Sequence, residues 1–190
     1  MGKDTILNKI KKNKGQFVEL PEIPNFSSNQ DNMIKHFTES IKKAGGETVF
    51  SANMSLQSLI EKHYPKAKKI ISCYGNYKGS LEIVNYTDPH ELKDIELAII
   101  EGTFGLAENG AIWIDEKEMV HRALPFITEN LIIVLEKDKL VENMHEAYGK
   151  LKGKQTGFGL FISGPSKTAD IEQALVIGAH GAKSLYVYLT

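Results

Sequence analysis

Three short stretches of the 190-residue chain combine turn-forming residues with side chains that could do chemistry. In the first, EGTFGLAENGA (101–111), Gly105 and Gly110 allow tight turns or the close approach of a ligand beside Glu108. A carboxylate in such a place can act as a nucleophile or a general base. The alternative is structural: Asn109 and Gly110 form a type I′ turn between two strands, and Glu108 is merely solvated.

The second stretch, FISGPSKTADIEQAL (161–175), has the features of an anion-binding loop. Its turn-forming and polar residues are Gly164, Pro165, Ser166, Lys167, Thr168 and Asp170. A strand is expected to end at Ser163, and a helix that Asp170 caps is expected to follow. Free backbone N–H groups at a helix start, beside a lysine and two hydroxyls, suit a phosphate or carboxylate. It is not a Walker A loop, because Pro165 and Ser166 stand where that motif has its lysine and hydroxyl residue. Ordinary helix capping is the alternative.

The third stretch, GAHGA (178–182), places His180 and Gly181 between the expected helix and the last strand. His180 is either an exposed loop residue or a side chain that reaches back to the SGPSK loop. A helix between the two loops disfavours that contact, because opposite ends of a helix lie far apart.

Arg122 is the only arginine in the chain. Its guanidinium could grip a carboxylate or phosphate with two hydrogen bonds, which a lysine cannot do. The alternative is a surface ion pair with Asp115, Glu116 or Glu118. The six histidines are scattered without metal-ligand spacing, so no metal site is predicted.

Composition excludes several classes of function. The formal net charge of -1 gives no overall field for nucleic acid or an anionic membrane. Neither a signal peptide nor a membrane-spanning segment is recognised, so a cytoplasmic protein is expected. Cys73 is the single cysteine, which leaves no thiolate set for an iron–sulfur cluster or structural zinc. Redox chemistry would need a bound organic cofactor, whose identity is unknown, or a partner protein; no covalently bound cofactor is expected.

Strand-like and helix-like segments alternate behind an extended arm and a first helix over 31–46. Strands are predicted at 47–50, 68–74, 80–86, 94–100, 111–114, 130–136, 157–163 and 184–190, and helices at 53–64, 139–153 and 169–179, with an irregular segment at 118–126. This alternation predicts one α/β domain with a largely parallel or mixed sheet.

Together these motifs resemble the LUD domain family, specifically the lactate-utilisation protein C (LutC/YkgG) group, over residues 30–190. That group has an Ala-Glu-Thr-Gly-Thr-like segment, then an arginine and a proline, a Ser-Gly-Pro-Ser-x-Thr-Ala-Asp-Ile-Glu run and a Gly-x-His-Gly-Pro segment. The matching positions are Ala107, Glu108, Gly110, Arg122, Pro125, Ser163, Gly164, Pro165, Ser166, Thr168, Ala169, Asp170, Ile171, Glu172, Gly178, His180 and Gly181. Asn109 and Ala111 replace the two threonines, and Ala182 replaces the last proline.

The resemblance implies a fold similar to the ribose-5-phosphate isomerase, glucosamine-phosphate deaminase and CoA-transferase group. In that fold a mixed, largely parallel sheet is flanked by helices. Residues 1–45 would form an arm and a helix packed on the core, and residues 46–190 the LUD α/β domain.

The resemblance also implies a subunit or accessory protein of an L-lactate utilisation system, which oxidises lactate to pyruvate. Redox chemistry would reside in iron–sulfur partner subunits, and this chain would bind a small anion: lactate, pyruvate or a phosphorylated cofactor. Glu108 is the candidate catalytic residue. Candidate ligand-binding residues are Gly105, Asn109, Gly110, Arg122, Gly164, Pro165, Ser166, Lys167, Thr168, Asp170, His180 and Gly181.

Two other functions stay open. Glu108-Asn109-Gly110 is similar to the Ser-Glu-Asn-Gly signature of class I CoA-transferases, so the chain could be a CoA-transferase-like or isomerase-like enzyme that uses Glu108 as nucleophile or base. It could also be a regulatory or scaffold module without catalysis. A homo-oligomer is a further expectation.

Overall fold

A computed structural model describes residues 2–15, 18–22, 30–82, 88–153, 157–171 and 174–190. The helices are α1 (Lys3–Lys12), α2 (Gln30–Lys43), α3 (Leu56–His63), α4 (Glu116–Met119), α5 (Leu124–Ile127) and α6 (Met144–Leu151). The strands are β1 (Glu47–Phe50), β2 (Ile70–Ser72), β3 (Leu97–Glu101), β4 (Phe104–Leu106), β5 (Ile112–Asp115), β6 (Asn130–Leu135), β7 (Leu140–Val141), β8 (Gly159–Ile162), β9 (Lys167–Ile171), β10 (Ala174–Ile177) and β11 (Ser184–Leu189).

Within these residues the strands form a central parallel sheet and two smaller units. The central sheet has the order β1–β11–β6–β3–β2, and all of its neighbouring strands are parallel. A second sheet has the order β7–β4–β5–β8, and β9 pairs with β10 as an antiparallel hairpin. The predicted α/β fold with a largely parallel sheet flanked by helices is therefore confirmed.

The central sheet is buried on both faces, as expected for parallel strands. In β6, Leu131, Ile133 and Leu135 pack on the face that α2 and the second sheet cover. Ile132 and Val134, on the opposite face, pack with the residues of α3. The unbroken apolar run that predicted a buried strand thus supplies both halves of the core.

Helix α2 joins the sheet through the face predicted from its sequence. Phe37 and Ile41, one turn apart, are fully buried. The helix ends where the N–H groups of Gly45 and Gly46 donate to the carbonyls of Lys42 and Ile41, and Gly45 takes φ +90°, a conformation that glycine adopts without strain. This capped end of α2 lies beside the candidate functional site.

The helix predicted over 169–179 is wrong. Residues 167–171 and 174–177 are the two strands of the β9–β10 hairpin. Short segments that are rich in apolar residues fit either period, and the β-branched Val176 and Ile177 suit a strand. The capping role expected for Asp170 falls with the helix.

Two other boundaries needed correction. The helix predicted over 139–153 begins only at Met144, where the side chain of Asn143 accepts the N–H of Glu146, and Leu140–Val141 form β7 instead. The segment 118–126, expected to be irregular, contains the end of α4 and most of α5. The strand predicted over 80–86 lies partly outside the described residues. Among the described residues, no helix is both long and apolar enough to cross a bilayer.

Candidate functional site

The SGPSK loop and the GAHGA loop meet at Ser166. Its N–H donates to the carbonyl of Ala182 over 2.9 Å, and its carbonyl accepts the N–H of Gly178 over 3.1 Å. Its hydroxyl oxygen accepts the N–H of His180 over 3.3 Å. The contact that a helix would have prevented exists because a hairpin returns the chain to its starting point.

A cavity of about 370 Å³ opens between these two loops. Its polar lining includes Ser166, Lys167, Thr168 and His180, and its apolar lining includes Phe126. Pro165, Gly164 and Gly181 complete the wall on the loop side. The structure thus brings together seven of the predicted ligand-binding residues around a space large enough for a small organic acid.

Lys167 lies against the carboxyl end of α2. A Cβ added at Gly45 would stand 3.1 Å from the Lys167 Nζ. The last carbonyls of a helix carry partial negative charge, which attracts an ammonium group. Lys167 is exposed and lines the cavity, so its side chain borders both the end of α2 and the space for a ligand.

The turn at Asn109 and Gly110 is not the predicted type I′ turn. That turn needs a positive φ at both residues, whereas Gly110 has φ +69° and Asn109 keeps a negative φ. Asn109 instead uses its side-chain oxygen to accept the N–H of Ala111 over 2.9 Å. Such side-chain turns let asparagine close a loop without the left-handed conformation.

Glu108 is held by the start of a helix. Its Oε2 accepts the N–H of Met144, the first residue of α6, over 3.0 Å, and its own N–H donates to the carbonyl of Glu142. A carboxylate at this place satisfies an otherwise unpaired amide and interacts favourably with the helix dipole. This contact gives Glu108 a structural role. A catalytic role for it stays a prediction.

The Asn109 turn contacts both α2 and the SGPSK loop. The Ser40 hydroxyl donates to the carbonyl of Ala107 over 2.9 Å, and the Ser163 hydroxyl donates to that of Asn109 over 2.8 Å. Gly110 packs against the backbone of Ile41. Gly105 is buried, and a Cβ there would press on Leu135, Leu140 and Phe37. Its lack of a side chain therefore serves packing.

Arg122 forms the ion pair that was its structural alternative. Its Nε is 2.6 Å from Oε1 of Glu116, and its guanidinium lies over the ring of Phe158, 5.1 Å from the centroid. Among the described residues, no hydrogen bond or ion pair joins Arg122 to Glu108 or Lys167. A ligand-binding role for Arg122 stays a prediction.

Two other points concern the predicted residues. Asp170 lies in β9, but its side chain is outside the described part of the structure, as are Glu172 and Gln173 entirely. Among the described residues, no group of three or more histidine, cysteine, aspartate or glutamate side chains could hold a metal ion.

A series of hydrogen-bonded polar side chains beneath α3 was not predicted from the sequence. The Tyr64 hydroxyl is 2.6 Å from Ser184 Oγ, which donates to Asn130 Oδ1 over 2.7 Å. The Asn130 amide donates to the carbonyl of Glu96 over 2.9 Å. Burial raises the pKa of Tyr64 to about 12. Alternation in SLYVYL was the signal, because it places Ser184 on the same face of the last strand as Tyr186 and Tyr188.

Sequence comparison finds relatives among known proteins. A Bacillus pumilus protein named Lactate utilization protein C is 34% identical over 99 residues, which cover 48% of this chain and 41% of that protein. A protein of the same name from Geobacillus kaustophilus is 28% identical over 146 residues, or 73% of this chain and 58% of that protein. The Escherichia coli protein YkgG, described as uncharacterized, is 28% identical over 106 residues, or 52% of this chain and 46% of YkgG. The chain thus spans about half the length of the curated relatives it matches.

One solved structure has the same fold. The crystal structure of a DUF162 family protein from Deinococcus radiodurans superposes with a TM-score of 0.64 at 18% identity, covering 86% of this chain and 99% of that one. Residues 88–190, just over half of the chain and including the Asn109 turn and both loops of the cavity, match the LUD domain family. The chain therefore belongs to the LUD domain family.

Proposed function

We propose that this chain is a subunit or accessory protein of a lactate utilisation system and that it binds a small anionic ligand in the cavity between the SGPSK and GAHGA loops. Relatives named Lactate utilization protein C support the first part. The second part depends on one observation, the junction of the two loops at Ser166 beside Lys167.

The groups in the cavity are those that an organic acid needs. Because the Ser166 oxygen accepts the N–H of His180, its own proton is available for a ligand oxygen. The Lys167 ammonium offers a charge-assisted hydrogen bond to a carboxylate. Phe126 supplies an apolar wall for a short carbon chain. Lactate and pyruvate combine these features.

Electron transfer is assigned to partner subunits. The sequence has a single cysteine, so this chain cannot hold an iron–sulfur cluster on four thiolates. A hydroxy acid that loses two electrons on or near this chain needs an acceptor elsewhere. Iron–sulfur partner proteins are the proposed acceptors, and this chain would present or sense the anion.

Calorimetric titration of the purified chain with L-lactate, pyruvate and inorganic phosphate tests the ligand. We expect binding of at least one anion, weakened about 10- to 100-fold by Lys167→Met, as for the loss of a charge-assisted hydrogen bond. Lys150→Met, at an exposed lysine in α6, is the matched control and should bind like the wild type. Absence of binding for all three anions would contradict the ligand proposal.

A dye-reduction assay tests the assignment of electron transfer. The chain alone should give no lactate-dependent reduction, and reduction should appear when the iron–sulfur subunits of a lactate-oxidising system are added. Lactate-dependent reduction by the chain alone would show that the subunit proposal is wrong, while leaving the ligand site intact.

A further inference from the structure

Helix α1 exposes an apolar stripe that the described part of its own chain leaves uncovered. Ile6, Leu7 and Ile10 are 47%, 43% and 55% exposed, and every residue of the helix is exposed. At about 100° per residue these three side chains share one arc, with Lys9 and Lys11 on its two flanks. A ten-residue helix is marginal in water by itself, so burial of this stripe would supply the stability that it lacks.

Charge is divided unevenly between α1 and the remainder of the chain. Residues 1–15 hold five lysines and one aspartate, a formal charge of +4. Because the whole chain carries -1, the remaining residues carry -5. The surface that covers α1 should therefore be apolar at its centre and acidic at its rim, and the same chain is a source of such a surface.

A groove at the carboxyl end of β2 has this character. It encloses about 440 Å³, and its lining includes Cys73, Tyr74, Tyr77 and Leu81. We call it the Tyr77 groove. Its rim includes Glu82 and one opposing charge, Lys78.

Carboxylates also act on the groove from neighbouring elements. Burial, and then the negative charges of Glu101 and Glu118, raise the pKa of Cys73 to about 11. Burial, and then the charge of Glu61, raise the pKa of Tyr77. Glu61, Glu101 and Glu118 therefore lie near the two side chains, and together with Glu82 these carboxylates outnumber Lys78 around the apolar groove.

We propose that α1 of one copy docks in the Tyr77 groove of a second copy, with Ile6, Leu7 and Ile10 against the tyrosines and the lysines toward the carboxylates. Exchange of two identical helices gives a closed, two-fold dimer. The 17 residues between α1 and α2 (13–29) can reach up to about 60 Å, enough to span to a neighbouring molecule. An anionic bilayer is a poorer occupant, because the acidic remainder of the chain would be repelled from it and α1 has no aromatic anchor.

Sedimentation and thiol labelling of the full chain test this proposal together. Cys73 is the single cysteine and lines the groove, so an uncharged maleimide reports on groove access. We expect the wild type to be dimeric and its labelling rate to fall as protein concentration rises. Ile6→Ser/Ile10→Ser should be monomeric, with a labelling rate that does not depend on concentration. Thr5→Ser/Asn8→Ser, on the opposite side of the helix, is the matched control and should behave as the wild type.

Charge reversal provides a second, independent variant. Lys9→Glu/Lys11→Glu should weaken dimerisation at least about tenfold at low salt, and the difference should shrink as salt screens the charges. Since all six substituted positions are exposed, circular dichroism should show a folded domain in each variant. A monomeric wild type would overturn the proposal. So would Cys73 protection that is independent of concentration, which indicates docking within one chain. Binding of the wild type to anionic vesicles with no dimer would assign α1 to a membrane surface instead.

Discussion

The Asn109 turn (residues 107–110) and the SGPSK loop (163–167) look alike in sequence but differ in what their polar groups do. In the turn, Glu108 holds the start of α6 and the Asn109 side chain closes its own loop. In the loop, Ser166 keeps a hydroxyl proton to donate and Lys167 lines a cavity. Both pack against α2, one at Ile41 and the other at Ala44.

The difference teaches that residue type alone does not mark a binding site. A carboxylate whose oxygen already accepts a backbone N–H has less to offer a ligand than a hydroxyl with an unused proton. The Asn109 turn therefore fits a role in stability and the SGPSK loop a role in binding. Variants that separate the two effects test this division.

The largest expected effect is on stability, from Gly110→Ala. An added Cβ would stand 2.8 Å from the backbone nitrogen of Ile41, and φ +69° is unfavourable for alanine. We expect a loss of about 2–4 kcal/mol in the free energy of unfolding, measured by urea denaturation.

Gly149→Ala is the matched control for this substitution. A Cβ there would be more than 4 Å from any atom counted in the described chain, within helix α6. Alanine should stabilise the helix by about 0.5–1 kcal/mol. Equal destabilisation by both substitutions would mean that the contact of Gly110 with α2 is not the cause of the lower free energy of unfolding.

A pH series tests the hydrogen-bonded chain that begins at Tyr64, in which the polar groups already have partners. The pKa of Tyr64 is raised from 10.0 to about 12, mainly by burial. The folded chain keeps the phenol proton to higher pH than the unfolded chain, so the stabilisation is complete below pH 10 and is lost as pH rises toward 12. After allowance for solvent screening, this loss is about 1–2 kcal/mol.

Tyr64→Phe should remove that part of the pH dependence, as measured by urea denaturation below pH 10 and near pH 12. Ser166→Ala, in the SGPSK loop, should leave it unchanged. If wild type and Tyr64→Phe lose stability in parallel, burial does not raise the pKa of Tyr64 in the folded chain.

The sequence predicted the framework well where hydrophobic periodicity was long. Phe37 and Ile41 defined the inner face of α2, and the run over 130–136 correctly indicated a strand covered on both faces. Such patterns work because burial on one face or two dictates which positions must be apolar.

The site was predicted only in part, because its contacts are non-local. The sequence predicts Ser166, Lys167 and His180 as ligand-binding residues. Their contact, however, depends on the β9–β10 hairpin, and the local sequence pattern of that segment predicts a helix. Glu108 was singled out by its neighbours, yet its partner, the N–H of Met144, is 36 residues away. Arg122 was named for its chemistry, and its pairing with Glu116 was among the stated alternatives. Distant hydrogen bonds leave no periodic trace in a sequence.

The next effect in size comes from Glu108→Ala, which removes the acceptor at the start of α6. We expect a loss of about 1 kcal/mol in unfolding free energy, as for a helix cap, and unchanged anion binding. Glu108→Gln keeps an oxygen acceptor and should lose less. The same pair of proteins tests the enzymatic alternative. A borohydride-trapped glutamyl adduct that forms with acyl-CoA in the wild type and not in Glu108→Gln would make Glu108 a nucleophile.

The smallest effect on stability is expected from Ser166→Ala, compared with Ser163→Ala. The Ser166 oxygen accepts over 3.3 Å at an exposed position, so its loss should cost about 0.5 kcal/mol. The Ser163 hydroxyl donates over 2.8 Å to the Asn109 carbonyl, and its loss should cost about 1 kcal/mol. Anion binding, measured by calorimetry, should rank the two in the opposite order, because only Ser166 keeps a proton for the ligand. If both properties follow the same order, an unused hydroxyl proton is not what distinguishes the anion-binding serine from the serine that bonds to the Asn109 turn.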